Sequence, residues 1–175
     1  MGEKTVFEAP DKTLTNFSSS QNWDGKCVGM MTAALITPFQ KVRIEEQGVW
    51  IEVLLTSGVS NARRAGDTAD YQLMHEKTNK VGAINILVIT NANLNNASMV
   101  ECIMMVAEVK AACLQDLKVL SPISNKIATG TGTDSTAIVS GNGPSIAYCG
   151  KHVLFGEILS KAVHLALRKS LSSFK

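Results

Sequence analysis

Ala83-Ile84-Asn85-Ile86-Leu87-Val88-Ile89-Thr90 runs straight into Asn91-Ala92-Asn93-Leu94-Asn95-Asn96, and then into an apolar stretch that reaches Leu117. The first eight residues are nearly continuous aliphatic sequence, which predicts a central strand buried on both faces. The asparagine run predicts a turn and a helix cap, because the short amide side chain bonds local backbone. One or two amides suffice for capping, so the others are free to face a ligand rich in amides. From about Ala97 to Leu117, the residues Val100, Ile103, Met104, Ala107, Ala111 and Leu114 recur at spacings of three and four, which predicts a helix with that stripe buried. Ser98-x-x-Glu101 has the form of a capping box, and Asn95 or Asn96 would cap as well. Met99, Met104 and Met105 are expected as core fillers. Aspartate at Ile103 is expected to unfold the protein.

Upstream, Cys27 to Ala34 reads as a buried strand and Thr37-Pro38 as a turn. Phe39 to Glu45 alternates, with Val42 and Ile44 on one side and Lys41, Arg43 and Glu45 on the other, as in a half-exposed strand. Gln47-Gly48 is a turn, and Val49 to Thr56 is again rich in strand formers, so this part reads as an antiparallel meander. Downstream, Thr136 to Ser140, the turn Gly141-Asn142-Gly143-Pro144, and Ser145 to Cys149 read as a hairpin. A last helix is predicted from about Val153 to Leu171, with Phe155, Ile158, Leu159, Ala162, Val163 and Ala166 buried. The fold class is therefore α+β: a mixed, largely antiparallel sheet of about six strands covered by two long helices. Residues 1–24 read as a mobile polar arm and 25–175 as a single domain.

Bulk properties narrow the function. The 175 residues suit one domain, and 45% hydrophobic against 18% charged residues excludes a disordered chain. A net charge of +2 with no basic run points away from nucleic acid. No apolar run reaches the ~18 residues of a membrane span, and no signal-peptide core follows Met1. Cys27, Cys102, Cys113 and Cys149 have no zinc-ligand spacing and read as buried free thiols in a reducing cytoplasm. His75, His152 and His164 have no ligand spacing between them, so no metal is expected.

Three stretches carry candidate chemistry. Ala128-Thr129-Gly130-Thr131-Gly132-Thr133-Asp134-Ser135 concentrates three hydroxyls and a carboxylate, with glycines that permit left-handed backbone and inward N–H groups. It lacks both phosphate-loop fingerprints and also fits a plain turn. Ser57 to Asp67 holds Arg63 and Arg64 among small residues, which suits a ligand-facing loop or a surface turn with an internal Arg–Asp pair. Gly150-Lys151-His152 precedes the last helix, with Glu157 one turn inside it. His152 is placed to act as a general base or to bond backbone, and Asp134 to orient a histidine or to cap its own loop. His164 reads as structural or exposed, and His75 as exposed. A threonine nucleophile would need a base in contact. A hydrolase site and a polar binding pocket both satisfy these residues.

Taken together, Val28 to Ala34, Ser60 to Asp67, Ile84-Asn85-Ile86 leading to Asn93-Leu94, Glu108-x-Lys110-Ala111-Ala112, Ala128 to Asp134, and Tyr148-x-Gly150-x-His152 with Gly156-Glu157 resemble the adenosylcobinamide amidohydrolase family of corrinoid salvage. The matches are in order over about residues 27 to 163. The resemblance implies cleavage of the amide between a corrin propionate and its aminopropanol arm, giving adenosylcobyric acid and aminopropanol. The corrinoid would be substrate or ligand, with no separate cofactor. It further implies a site lined by Asn61, Arg64, Asp67, Asn93, Thr129, Gly130 and Gly132. Within it, Thr131 or Thr133 would be nucleophile or oxyanion contact, His152 base, Asp134 orienter, and Glu157 a further catalytic group. An activated water in place of the threonine is equally compatible. Residues 1–24 depart from the family pattern, which leaves open a corrinoid or small-molecule binder without activity, or a site completed by a second chain in a homo-oligomer.

Overall fold

The computed structural model of the chain describes residues 9–25, 27–32, 34–70 and 83–172. Its helices are α1 (Pro10–Ser20), α2 (Asn96–Asp116) and α3 (Leu154–Ser172). Its strands are β1 (Gln40–Glu46), β2 (Val49–Ser57), β3 (Ala62–Arg63), β4 (Ile84–Thr90), β5 (Asn93–Leu94), β6 (Gly130–Thr131), β7 (Ser135–Val139) and β8 (Ser145–Ile146). Two units, Met1–Met31 and Thr32–Lys175, divide the chain.

In the first unit the expected irregular arm is helical over α1. Pro10 sits in the first turn, where its missing N–H leaves no helix bond unmade, and the hydroxyls of Thr13 and Thr15 bond back to carbonyls one turn earlier. Phe17 and Trp23 meet edge to face at 5.7 Å. The strand expected over Cys27–Ala34 does not form among the described residues, and Cys27, Val28 and Met31 are exposed. An apolar run becomes a strand only where a second strand offers its backbone, and composition does not supply that pairing. The other three cysteines are buried, and all four are free thiols.

The second unit is built on a four-stranded sheet in the order β1-β2-β4-β7. Gln47 and Gly48, both at positive φ (50° and 75°), make the two-residue turn that joins β1 to β2. β4 pairs antiparallel with β2 and parallel with β7, so the sheet is mixed. One sheet face carries Val42, Ile51, Val53, Leu55, Ile84, Ile86 and Val88, all buried. α3 packs over β1 and β2, α2 packs against α3 and β7, and the helices and this face share one core. Each of these side chains contributes about 1.5–3 kcal/mol of transfer free energy. On the opposite face of β4, Asn85 is buried while Leu87 and Ile89 are half-buried. Two-sided burial is thus complete only at the start of the strand. The remaining strands form two short pairs, β3-β6 and β5-β8.

α3 buries the expected stripe, Phe155 to Ala166, in full. α2 does not. Its buried residues are Ser98, Cys102, Met105, Val106, Val109, Cys113 and Leu114, whereas Val100, Ile103 and Met104 are 57%, 46% and 58% exposed. The helix is apolar nearly all round, so periodicity leaves its rotation open. Docking decides it: the Ser98 hydroxyl reaches the carbonyls of Ile146 and Ala147 at 2.9 and 3.0 Å. The cap is Asn95, whose Oδ1 accepts from the Ser98 N–H, and Glu101 instead accepts from the backbone N–H of Cys149.

The predicted hairpin after Thr136 is also corrected. β7 pairs with β4 and β8 with β5, both parallel. Gly141 and Gly143 donate to the carbonyls of Ala92 and Asn91. A β-carbon on either glycine would sit 2.5 or 2.6 Å from the Asn91 oxygen. The glycines thus serve a close backbone approach rather than a chain reversal. None of the described helices is long and apolar enough to cross a membrane.

Candidate functional site

Pairing of β3 with β6 sets Ala62 opposite Thr131 and Arg63 opposite Gly130. Two loops far apart in sequence thereby become one surface. The Thr129 N–H donates to the Arg63 carbonyl, and Thr129 Oγ1 accepts from the Ala65 N–H at 2.9 Å. Arg64 donates through its guanidinium to the Ile127 carbonyl at 3.0 Å. The Asn61 amide nitrogen lies 3.4 Å from where a β-carbon on Gly132 would stand. Arg63 pairs with Asp70 at 2.7 Å, three positions beyond the loop expected to hold an internal Arg–Asp pair.

Asp67 closes this loop. Its Oδ2 accepts from the Ser121 hydroxyl at 2.5 Å and from the Arg64 N–H at 2.8 Å. These bonds favour the charged form and hold its carboxyl at about 2, the Ser121 hydroxyl contributing most. Arg64, Asp67, Thr68, Ser124 and Lys126 line a polar hollow of about 350 Å³.

Asp134 organises the neighbouring surface. Its Oδ1 accepts from the Thr131 hydroxyl at 2.6 Å and from the N–H of Ile84, the first residue of β4, at 3.0 Å. Its Oδ2 accepts from the Thr131 N–H at 3.0 Å and from the ammonium of Lys110, on α2, at 2.5 Å. Side-chain exposure is only 15% for Lys110 and 14% for Asp134. A β-carbon on Gly130 would lie 2.4 Å from Asp134 Oδ2 and 3.2 Å from Lys110 Nζ. Neither Gly130 nor Gly132 takes left-handed backbone. The expected backbone freedom is not what the loop uses; at Gly130 it uses the missing side chain, which leaves room for the ion pair. The loop's N–H groups divide: that of Thr131 turns into the loop, onto Asp134 Oδ2, whereas that of Thr129 pairs with the Arg63 carbonyl.

His152, Glu157 and Asn93 belong to a different part of the molecule. His152 is exposed, with its ring 6.0 Å from that of Tyr148. Lys151 pairs with Glu108, and Glu157 pairs with Lys161 at 2.5 Å, raising the lysine pKa. Lys151, Gly156 and Glu157 line a hollow of about 410 Å³ between α2 and α3. Glu108 and Lys110 are two positions apart on α2, so they point about 200° apart around its axis. Glu108 ties the segment leading to His152 to one flank, and Lys110 ties Asp134 to the other. The expected Asp134–His152 pairing therefore gives way to an Asp134–Thr131–Lys110 cluster. Asn93 lies in β5 beside Ser145, and its N–H donates to the Pro144 carbonyl. Asn91 and Asn95 use their side chains structurally, Asn91 on the turn before β2 and Asn95 as the cap. His164 bonds Asp116 at 3.1 Å. His75 lies outside the described residues.

Lys110 is the functional candidate that the site reading passed over. Its signal was a lone cation among the apolar residues of α2. Among the described residues, no group of three or more His, Cys, Asp or Glu side chains is placed to hold a metal ion.

Fold and site define an α+β domain with a hydroxyl–carboxylate–ammonium cluster set beside a polar loop. The chain belongs to the CbiZ family, adenosylcobinamide amidohydrolase, matched over residues 3–174. That match begins upstream of the stretches that carried the resemblance. An uncharacterized protein of Methanocaldococcus jannaschii is 35% identical over 136 residues, covering 70% of this chain and 53% of the relative. The chain thus spans about half the length of that relative. No solved structure matches.

Proposed function

We propose that this chain hydrolyses the aminopropanol amide of adenosylcobinamide, giving adenosylcobyric acid and aminopropanol, with Thr131 as nucleophile. The single observation that carries this reading, within the family, is the 2.6 Å bond from the Thr131 hydroxyl to Asp134 Oδ1. A half-buried hydroxyl in contact with a carboxylate, itself oriented by a third group, is the arrangement an activated nucleophile needs. Thr131 Oγ attacks the amide carbonyl as its proton passes to Asp134. The C–N bond then breaks, and the amine leaves with that proton. Water hydrolyses the acyl-threonine and restores the hydroxyl. Asn61, Arg64, Asp67 and Thr129 bind the polar arms of the corrinoid, and Gly130 and Gly132 leave space for the cluster and the ligand. Thr133, two positions on, whose N–H reaches Thr131 Oγ1 at 3.4 Å, serves as an oxyanion contact.

A second reading has its own support. Asp134 takes four hydrogen bonds, which suits a structural carboxylate and a corrinoid-binding protein without activity. A third places a water activated by His152, with Glu157 and Asn93, on the other flank of α2. Incubation with adenosylcobinamide separates them. Release of aminopropanol by the wild type, lost by orders of magnitude in Thr131→Ala and retained in His152→Ala, supports the threonine. The reverse pattern supports the water. A corrinoid absorbance shift without product supports the binder.

A further inference from the structure

We propose that Lys110 is the positioning residue of this site, holding Asp134 so that Oδ1 faces the Thr131 hydroxyl; the inference rests on the amidohydrolase reading above. Lysine is among the least buried side chains, and its ammonium is held out of water only where a partner compensates for lost hydration. Here the side chain is 15% exposed and its ammonium lies 2.5 Å from Asp134 Oδ2. The other contacts of Asp134 come from one loop residue, Thr131, and from the backbone of β4. Lys110 alone brings in a helix and a full charge. Without it the carboxylate would be held by neutral donors of one loop and one strand end alone. The ammonium on Oδ2 adds a full positive charge and ties the carboxylate to α2. Oδ2 takes this clamp together with the Thr131 N–H, while Oδ1, which also accepts from the Ile84 N–H, faces the Thr131 hydroxyl.

Gly130 supports this assignment independently. A β-carbon there would collide with Asp134 Oδ2 and crowd Lys110 Nζ. Gly130 is buried in a short strand, a location where glycine weakens the backbone relative to a residue with a side chain. The residue type at 130 is thus explained by the space the ion pair occupies.

The test compares Lys110→Met, which keeps the length of the side chain without the charge, with Lys110→Arg and Lys110→Ala. Each is assayed for aminopropanol release, for kcat and KM separately, and for thermal melting. Misplacement of a catalytic group by about 1 Å costs about 100-fold in rate, so Lys110→Met should lose about that much kcat with KM within about threefold. Lys110→Arg should recover most of it, and propylammonium added to Lys110→Ala should restore kcat in a saturable way. A purely structural lysine would not give that rescue. The proposal is overturned if kcat per folded molecule of Lys110→Met stays within about threefold of wild type while Thr131→Ala is inactive, an outcome that leaves the amidohydrolase reading standing. Should Lys110→Met fail to fold, the arginine variant and the propylammonium titration decide, and absence of recovery in both overturns it. A wild type that releases no aminopropanol overturns both readings together.

Discussion

A β-carbon on Gly156 would sit 2.0 Å from the carbonyl oxygen of Gly150 and 2.5 Å from that of Cys149. Glycine inside a helix costs about 0.5–1 kcal/mol relative to alanine, so α3 tolerates it here because the preceding segment lies directly on its first turn. Gly156→Ala should therefore lower stability by about 1–3 kcal/mol, against the usual preference, as measured by urea denaturation. Asp67 gives a prediction in pH. Its folded pKa of about 2 lies below the ordinary value of 3.8, so the unfolded chain binds the proton more tightly. The stability it confers is present above about pH 4 and is lost as pH falls toward 2. Melting temperatures should fall less steeply between those pH values for Asp67→Asn than for wild type. The two residues differ in how far sequence exposes them. Asp67 stood out as an acid on an arginine loop, whereas Gly156 is explained only by backbone atoms six and seven positions away.

Among the elements, α3 and α2 pose one problem with two outcomes. α3 has a single apolar face, so its spacing picked the buried residues without ambiguity. α2 has apolar residues around most of its circumference, so any of several stripes satisfies the same spacing. Ile103 is 46% exposed, so Ile103→Asp should leave the protein folded and change stability by about 0.5 kcal/mol, contrary to the unfolding its spacing suggests. Leu159→Ala on α3, at a fully buried position, should cost about 2–5 kcal/mol. Chemical denaturation of both variants checks the rotation of α2 and the burial of α3 together. The strands follow the same rule. β1 and β2 meet through a two-residue turn, and their pairing is legible because the partners are adjacent in sequence. β7 reaches β4 across the whole of α2, and nothing local distinguishes that parallel pairing from the hairpin its turn residues suggested.

At the scale of the whole molecule, the placement of α2 governs the site. Its Lys110 flank receives the Thr131–Asp134 loop, and its Glu101 and Glu108 flank receives the segment from Cys149 to Lys151. One helix therefore parts two sets of residues that a linear reading had joined in a single cavity. The comparison of Thr131→Ala with His152→Ala is at bottom a question of which flank does the chemistry. The amino-acid sequence alone determined the α+β class, the central strand β4, both long helices, the β1–β2 hairpin and the family, because each depends on residue spacing or on motifs a few residues long. Tertiary structure alone decided which face of α2 is buried, that β7 lies parallel to β4, and that Lys110 rather than His152 meets Asp134. Those outcomes depend on hydrogen bonds and packing between segments 24 to 50 positions apart, whose energies have no local signature.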